Sequence, residues 1–193
     1  DRVIYLAGGV NSVENPEPTR AFYSLDLDAE KPVWNQLPPW PGPPRCLAAV
    51  GARNGELILV GGPSRMKDIQ ADDHLLDAYA FNPVTGWSVL PTLLQPAAAA
   101  ASPMPTAPDG TLVLIGGSDG SQSGLDARDY PQVSRRVQLL GPHSDTWSLG
   151  RDAPMARVGV NTVPWRGGWL LPTGEVSPGV RSPEVWLLEL GQP

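Results

Sequence analysis

Apolar residues along this chain fall in short runs instead of helical stripes. Four of them end in glycine or its equivalent: "VIYLAGG" at 3–9, "LILVGG" at 57–62, "LVLIGG" at 112–117 and "WLLPTGE" at 169–175. Short apolar runs bounded by turn residues predict buried strands that stop at a tight turn. Glycine at such an end permits positive φ and close approach of a neighbouring backbone. The first turn residues are Gly8, Gly61 and Gly116, with Thr173 in the fourth place. A polar loop and a second apolar run follow each turn: "AFYSLDL" at 21–27, "DAYAFNP" at 77–83, "RRVQLLGP" at 135–142 and "PEVWLLEL" at 183–190. Trp34, Trp87 and Trp147 open a third run, and their rings are expected to fill the space between sheets. "RCLAAVGA" at 45–52, "AAAAASPMP" at 97–105 and "RVGVNTVPW" at 157–165 precede the last three turns.

The spacing repeats at about 55 residues, and four short strands per repeat predict a β-propeller blade. The expected fold is therefore all-β, with four antiparallel blades at 1–38, 45–92, 97–150 and 155–190 and no helix longer than about two turns. The first unit lacks an innermost strand and the last an outermost one. Propellers close by pairing strands from both termini in one blade, so these ends do not make a regular four-bladed ring. A larger ring, completed by further N-terminal blades or by a second chain, is the expectation.

Composition narrows the function. The net charge of −6 gives no basic stripe for nucleic acid, with Arg135-Arg136 the nearest approach to one. A single cysteine, Cys46, excludes an internal disulfide, and its apolar run predicts a buried thiol. His74 and His143 lie in unrelated loops, so no zinc site of standard ligand type is expected. No apolar stretch reaches the roughly 18–20 residues of a membrane span.

The glycine pair, a following aromatic and a tryptophan after a turn such as "YAFNPVTGW" at 79–87 resemble the kelch repeat. The third unit departs from it, with Val137 to Leu140 where an aromatic is expected. Three stretches are similar to the cyclically permuted mutarotase family of kelch propellers: "WNQLPPWPGPPR" at 34–45, "LVLIGGSDGS" at 112–121 and "VPWRGGWLLPTGEVSPGVRSPEVW" at 163–186. The resemblance implies a six-bladed parent and an exported bacterial protein, periplasmic or secreted. It also implies a cofactor-independent, sialic-acid-type sugar mutarotase that interconverts anomers by acid/base ring opening and closing. In a "GE…PG.R" turn of that family the glutamate accepts a proton and the arginine holds the sugar acid, which here are Glu175 and Arg181.

The residues themselves suit that chemistry. A carboxylate can take the anomeric hydroxyl proton and return it at the ring oxygen, while a guanidinium offers a carboxylate a two-pronged contact. The same spacing around Pro178-Gly179 also describes a surface ion pair worth roughly 0–1 kcal/mol. Glu175 is expected in the slot that Gly9, Gly62 and Gly117 fill elsewhere. Arg157 and Arg45, each just before a first strand, are candidates to point into the channel. Asp119 could bond sugar hydroxyls or simply cap its Asp-Gly turn. Asn161, on an otherwise apolar strand, is expected to be a buried amide lining the channel. A non-catalytic propeller that binds a glycan or a protein is the competing function, and an inactive relic is the third.

Overall fold

The computed structural model describes residues 2–126, 130 and 133–190. Strands β1 (Val3–Ala7), β2 (Phe22–Asp26) and β3 (Trp34–Gln36) form the first sheet. The second is four-stranded, from β4 (Ala49–Arg53), β5 (Glu56–Val60), β6 (Ala78–Asn82) and β7 (Gly86–Leu90). The third holds β8 (Leu112–Ile115), β9 (Val137–Leu140) and β10 (Ser148–Leu149). In the fourth, β11 (Val163–Trp165) and β12 (Gly168–Pro172) are joined by the last strand, β15 (Val185–Leu188). Between them β13 (Glu175–Ser177) and β14 (Val180–Arg181) make a separate hairpin. Every pairing between these strands is antiparallel, and the helical content among the described residues is one 3₁₀ turn, Ala71–Asp73.

Strands β1, β5, β8 and β12 stop where the turn residues predict. Gly8, Gly61, Gly116 and Thr173 follow them with φ of 71°, 56°, 66° and 58°. Each donates its N–H to the residue just before the next strand of its sheet: Ala21, Asp77, Arg136 and Glu184, at 2.8–3.0 Å. These four bonds fix which positions of the units correspond. They also correct one expectation. The second glycine slot of the fourth unit is Gly174 (φ 102°) and not Glu175, which lies one residue further on, level with Val10, Pro63 and Ser118. In the third and fourth units that slot is also crowded: a Cβ on Gly117 would come within 2.8 Å of the Ala97 backbone, and one on Gly174 within 2.5 Å of the Val160 side chain.

A second correction concerns the expected strand at 97–105. This segment runs beside β8 but bonds to it sparsely, through Ala101 N–H to Ile115 O and Val113 N–H to Pro105 O. Pro103 and Pro105 have no N–H to donate, so a continuous ladder cannot form. The third sheet therefore has three strands where four are expected, and among the described residues only the second sheet has four.

The sheets pack face to face through apolar side chains. Ile58, Val60, Ala78 and Ala80 of the second sheet bury against Leu112, Leu114 and Leu140 of the third. Tryptophans clasp the layers together. Trp87 Nε1 donates to Pro38 O at 2.9 Å, and Trp147 Nε1 donates to Pro91 O at 2.8 Å. The Trp87 ring sits 4.9 Å from Phe22 and 5.1 Å from Phe81. Trp34 differs from the other two: with Ile4 and Leu6 it lies on an exposed face of the first sheet.

Candidate functional site

The innermost loops of successive units are tied together by main chain. Leu47, Ala99 and Gly159 occupy one position, all with positive φ (49°, 54° and 63°). Ala99 N–H donates to Leu47 O and Gly159 N–H donates to Ala99 O, both at 2.8 Å. Beside them lies a cavity of about 230 Å³, whose wall includes Leu47, Ala99, Ser118, His74 and Glu175.

Glu175 reaches this wall because its backbone bonds in both directions to Val158, the residue next to Gly159. Its Oε1 accepts the Gly179 N–H at 2.6 Å, which closes the Pro178-Gly179 turn. Arg181 pairs with Glu175 across the hairpin, but its guanidinium stays 4.0 Å from Oε2. That is an ion-pair separation, too long for a hydrogen bond. The Glu175 side chain is 28% exposed and that of Arg181 75%, so the carboxylate is sheltered while the guanidinium projects beside it.

The other arginines are used inside the fold. Arg45, fully buried, donates Nη1 to Gly61 O at 3.0 Å and Nη2 to Asp77 Oδ2 at 2.6 Å. Its guanidinium carbon lies 5.4 Å from the Trp40 ring centroid and 5.3 Å from that of Tyr79. Arg157 repeats the arrangement two units on. It donates Nε to Thr173 O at 3.1 Å and Nη2 to Glu184 Oε2 at 2.6 Å and to Ser182 Oγ at 2.9 Å. In both, an arginine ahead of one strand ties down the turn after the next strand and an acid before the following one. The third unit has Ala97 and Arg136 at the corresponding positions, so neither half of the brace is present.

Charge and burial shift two groups in these braces. Hydrogen bonds from Trp186, Arg157 and Ser182 hold the Glu184 carboxyl below the usual range. Burial, with the Asp77 carboxylate accepting its hydroxyl at 2.6 Å, pushes Tyr79 up to about 12. A raised folded value means stability is complete below the unfolded tyrosine's 10 and is lost as pH climbs toward 12. The native chain should thus lose about 2–3 kcal/mol more than Tyr79→Phe across that interval. Urea midpoints of both proteins at pH 9 and at the alkaline end would show it, and parallel curves would disprove it.

Two further candidates lie elsewhere. Asn161 is exposed, and its segment bridges Ser102 through backbone, so the expected buried amide is not found. Asp119 Oδ1 accepts Ser121 N–H at 3.0 Å and its hydroxyl at 2.6 Å, capping its own turn. Sequence reasoning passed over His74, which is 8% exposed, with Nδ1 3.1 Å from Gln70 O, and which shares the cavity wall with Glu175. Only the fold signals it: His74 bridges Pro63, the position level with Glu175. Among the described residues no group of three or more His, Cys, Asp or Glu could hold a metal ion.

Antiparallel sheets stacked face to face, each turning at a glycine-type pair, are the architecture of a kelch-type β-propeller. The solved structure of YjhT has this fold, matching with a TM-score of 0.74 at 21% identity over 97% of this chain and 62% of that one. No protein-family profile matches the chain. Among curated proteins the chain is similar to several named N-acetylneuraminate epimerase. The protein from Yersinia enterocolitica is 24% identical over 86% of this chain and 49% of its own length. That from Brucella melitensis is 25% identical over 88% of this chain and 51% of its own. The chain therefore spans about half the length of the curated relatives it matches.

Proposed function

We propose that this chain carries the acid/base centre of a sugar-acid mutarotase acting on N-acetylneuraminate or a close sialic acid. One observation carries the reading: a sheltered carboxylate on a cavity wall, held in place by a backbone N–H, beside a projecting arginine whose guanidinium makes no hydrogen bond among the described residues. The names of the homologues supply the substrate class.

In this mechanism Glu175 takes the proton from the anomeric hydroxyl as the bond between the anomeric carbon and the ring oxygen breaks. The proton is delivered to the ring oxygen, leaving an open-chain carbonyl. Rotation exposes its other face, and the reverse transfer closes the ring as the opposite anomer. No electrons leave the sugar, so no redox partner is needed. Arg181 holds the sugar's carboxylate, since its five donors on a planar fork match two carboxylate oxygens.

Exchange between sialic acid anomers, followed by NMR magnetisation transfer, is the test. Adding the chain should accelerate exchange above buffer. Arg181→Lys should raise the sugar concentration needed for half-maximal acceleration about tenfold or more and leave the saturated rate little changed, because an ammonium is a point charge without the fork. Sugar binding without acceleration would point instead to a propeller that only binds its ligand.

A further inference from the structure

His74 shares a cavity wall with Glu175, and two segments fix how its imidazole is held. The first is the 3₁₀ turn before it. His74 N–H donates to Ala71 O at 3.1 Å, Ser64 N–H donates to Asp73 O at 2.8 Å, and the Asp73 carboxylate accepts Gln70 N–H at 2.8 Å. Gln70 O, so positioned, lies 3.1 Å from Nδ1 of the ring. A carbonyl oxygen only accepts, so Nδ1 carries the proton and the neutral ring keeps its lone pair on Nε2. The second segment is the Asp119-Gly120 turn of the third unit. A Cβ on Gly120, whose φ is 80°, would come within 2.8 Å of Nδ1, so the bare glycine leaves the ring its room. The ring is nearly buried, yet Nε2 has no hydrogen-bond partner among the described residues. A sheltered acceptor without a partner is costly, and the cavity is the side from which a ligand can supply one.

Main chain sets the place of His74 relative to Glu175. The inner seam runs from Leu47 through Ala99 to Gly159, so the third unit stands between the second and the fourth. His74 is bridged to Pro63 of the second unit, and Glu175 to Val158 of the fourth. Between them the wall includes Ala98, Ala99 and Ser118 of the third. A ligand touching both groups reaches across a unit, so its part near His74 is remote from its part near Glu175. In N-acetylneuraminate the anomeric carbon carries the carboxylate. A glycerol-like side chain extends from the carbon on the other side of the ring oxygen.

On the mutarotase reading, we propose that His74 is the specificity residue for that side chain: Nε2 accepts a hydrogen bond from one of its outer hydroxyls while the anomeric carbon lies at Glu175. The tautomer held by Gln70 O makes Nε2 a fixed acceptor, which a hydroxyl satisfies by donating. His74 takes no proton in the reaction, so its effect falls on binding and leaves the chemical step alone.

The test compares N-acetylneuraminate with the analogue whose side chain is cut to a single hydroxymethyl group, with anomer exchange read by NMR. The native chain should need about three- to tenfold more of the shortened sugar for half-maximal acceleration, at a similar saturated rate. His74→Leu should lose this preference and keep the saturated rate. His74→Gln, whose side-chain oxygen accepts near the place of Nε2, should restore most of it, a rescue that a purely structural ring would not show. The imidazole nitrogen spectrum of the native chain, assigned with His143→Gln, needs no change at 74. Its Nε2 signal should move on adding N-acetylneuraminate and stay in place with the shortened sugar. Equal use of both sugars by the native chain, a preference that survives in His74→Leu, or an Nε2 signal indifferent to the sugar would overturn the proposal alone. Neither binding nor acceleration with either sugar would remove the mutarotase reading along with it.

Discussion

Arg45→Ala should destabilise the chain by about 3–5 kcal/mol, the usual cost of removing one partner from a buried ion pair. The loss comes from what remains behind. Gly61 O would lose its donor, and the Asp77 carboxylate would keep Tyr79 but no cation. The guanidinium also fills the space between the Trp40 and Tyr79 rings, so a cavity would open at the junction of the first two sheets. Urea denaturation followed by far-ultraviolet dichroism is the measurement. A double-mutant cycle with Asp77→Asn isolates the pair, and Arg45→Ala should cost clearly less in that background. A loss below about 1 kcal/mol in the native background would mean that the brace is not structural.

The largest functional effect is expected at Glu175. Glu175→Gln should reduce acceleration of anomer exchange about 10²- to 10⁴-fold, the range for a positioned proton-transfer group. Glutamine's carbonyl oxygen can still accept the Gly179 N–H, so the hairpin keeps its shape. Sugar binding should survive, since the amide loses the ability to take a proton while Arg181 is untouched. Undiminished exchange in this variant would remove Glu175 from the mechanism.

Strand ends were legible because two independent signals coincide there. An apolar run stops, and a residue able to hold positive φ follows. Where the second signal was carried by Thr173, the register of the fourth turn slipped by one residue and put Glu175 in a glycine's slot. The segment at 97–105 read as a strand from its apolar character, but two prolines withhold the donors that a ladder needs. Arginine direction was harder. An arginine before a strand can face a channel or tie down a turn, and Arg45 and Arg157 look alike under both readings. A pairwise signal did exist: an acid immediately before a later strand, Asp77 or Glu184, accompanies each of these arginines, and Arg136 stands there where Ala97 replaces them. His74 carried no local mark, since only the three-dimensional bridge to Pro63 brings it to the wall.

The inner seam through Leu47, Ala99 and Gly159 is built wholly from main-chain groups. Its side chains therefore take no part in holding it, and Leu47, half exposed, is free of structural duty there. Left-handed backbone costs a non-glycine residue about 1–2 kcal/mol, so leucine and alanine are present in spite of the conformation and not because of it. Such a position is open to change over evolutionary time. Larger, smaller or polar side chains at 47 and 99, which line the cavity, would recontour it while the scaffold and the Glu175 carboxylate stay where they are.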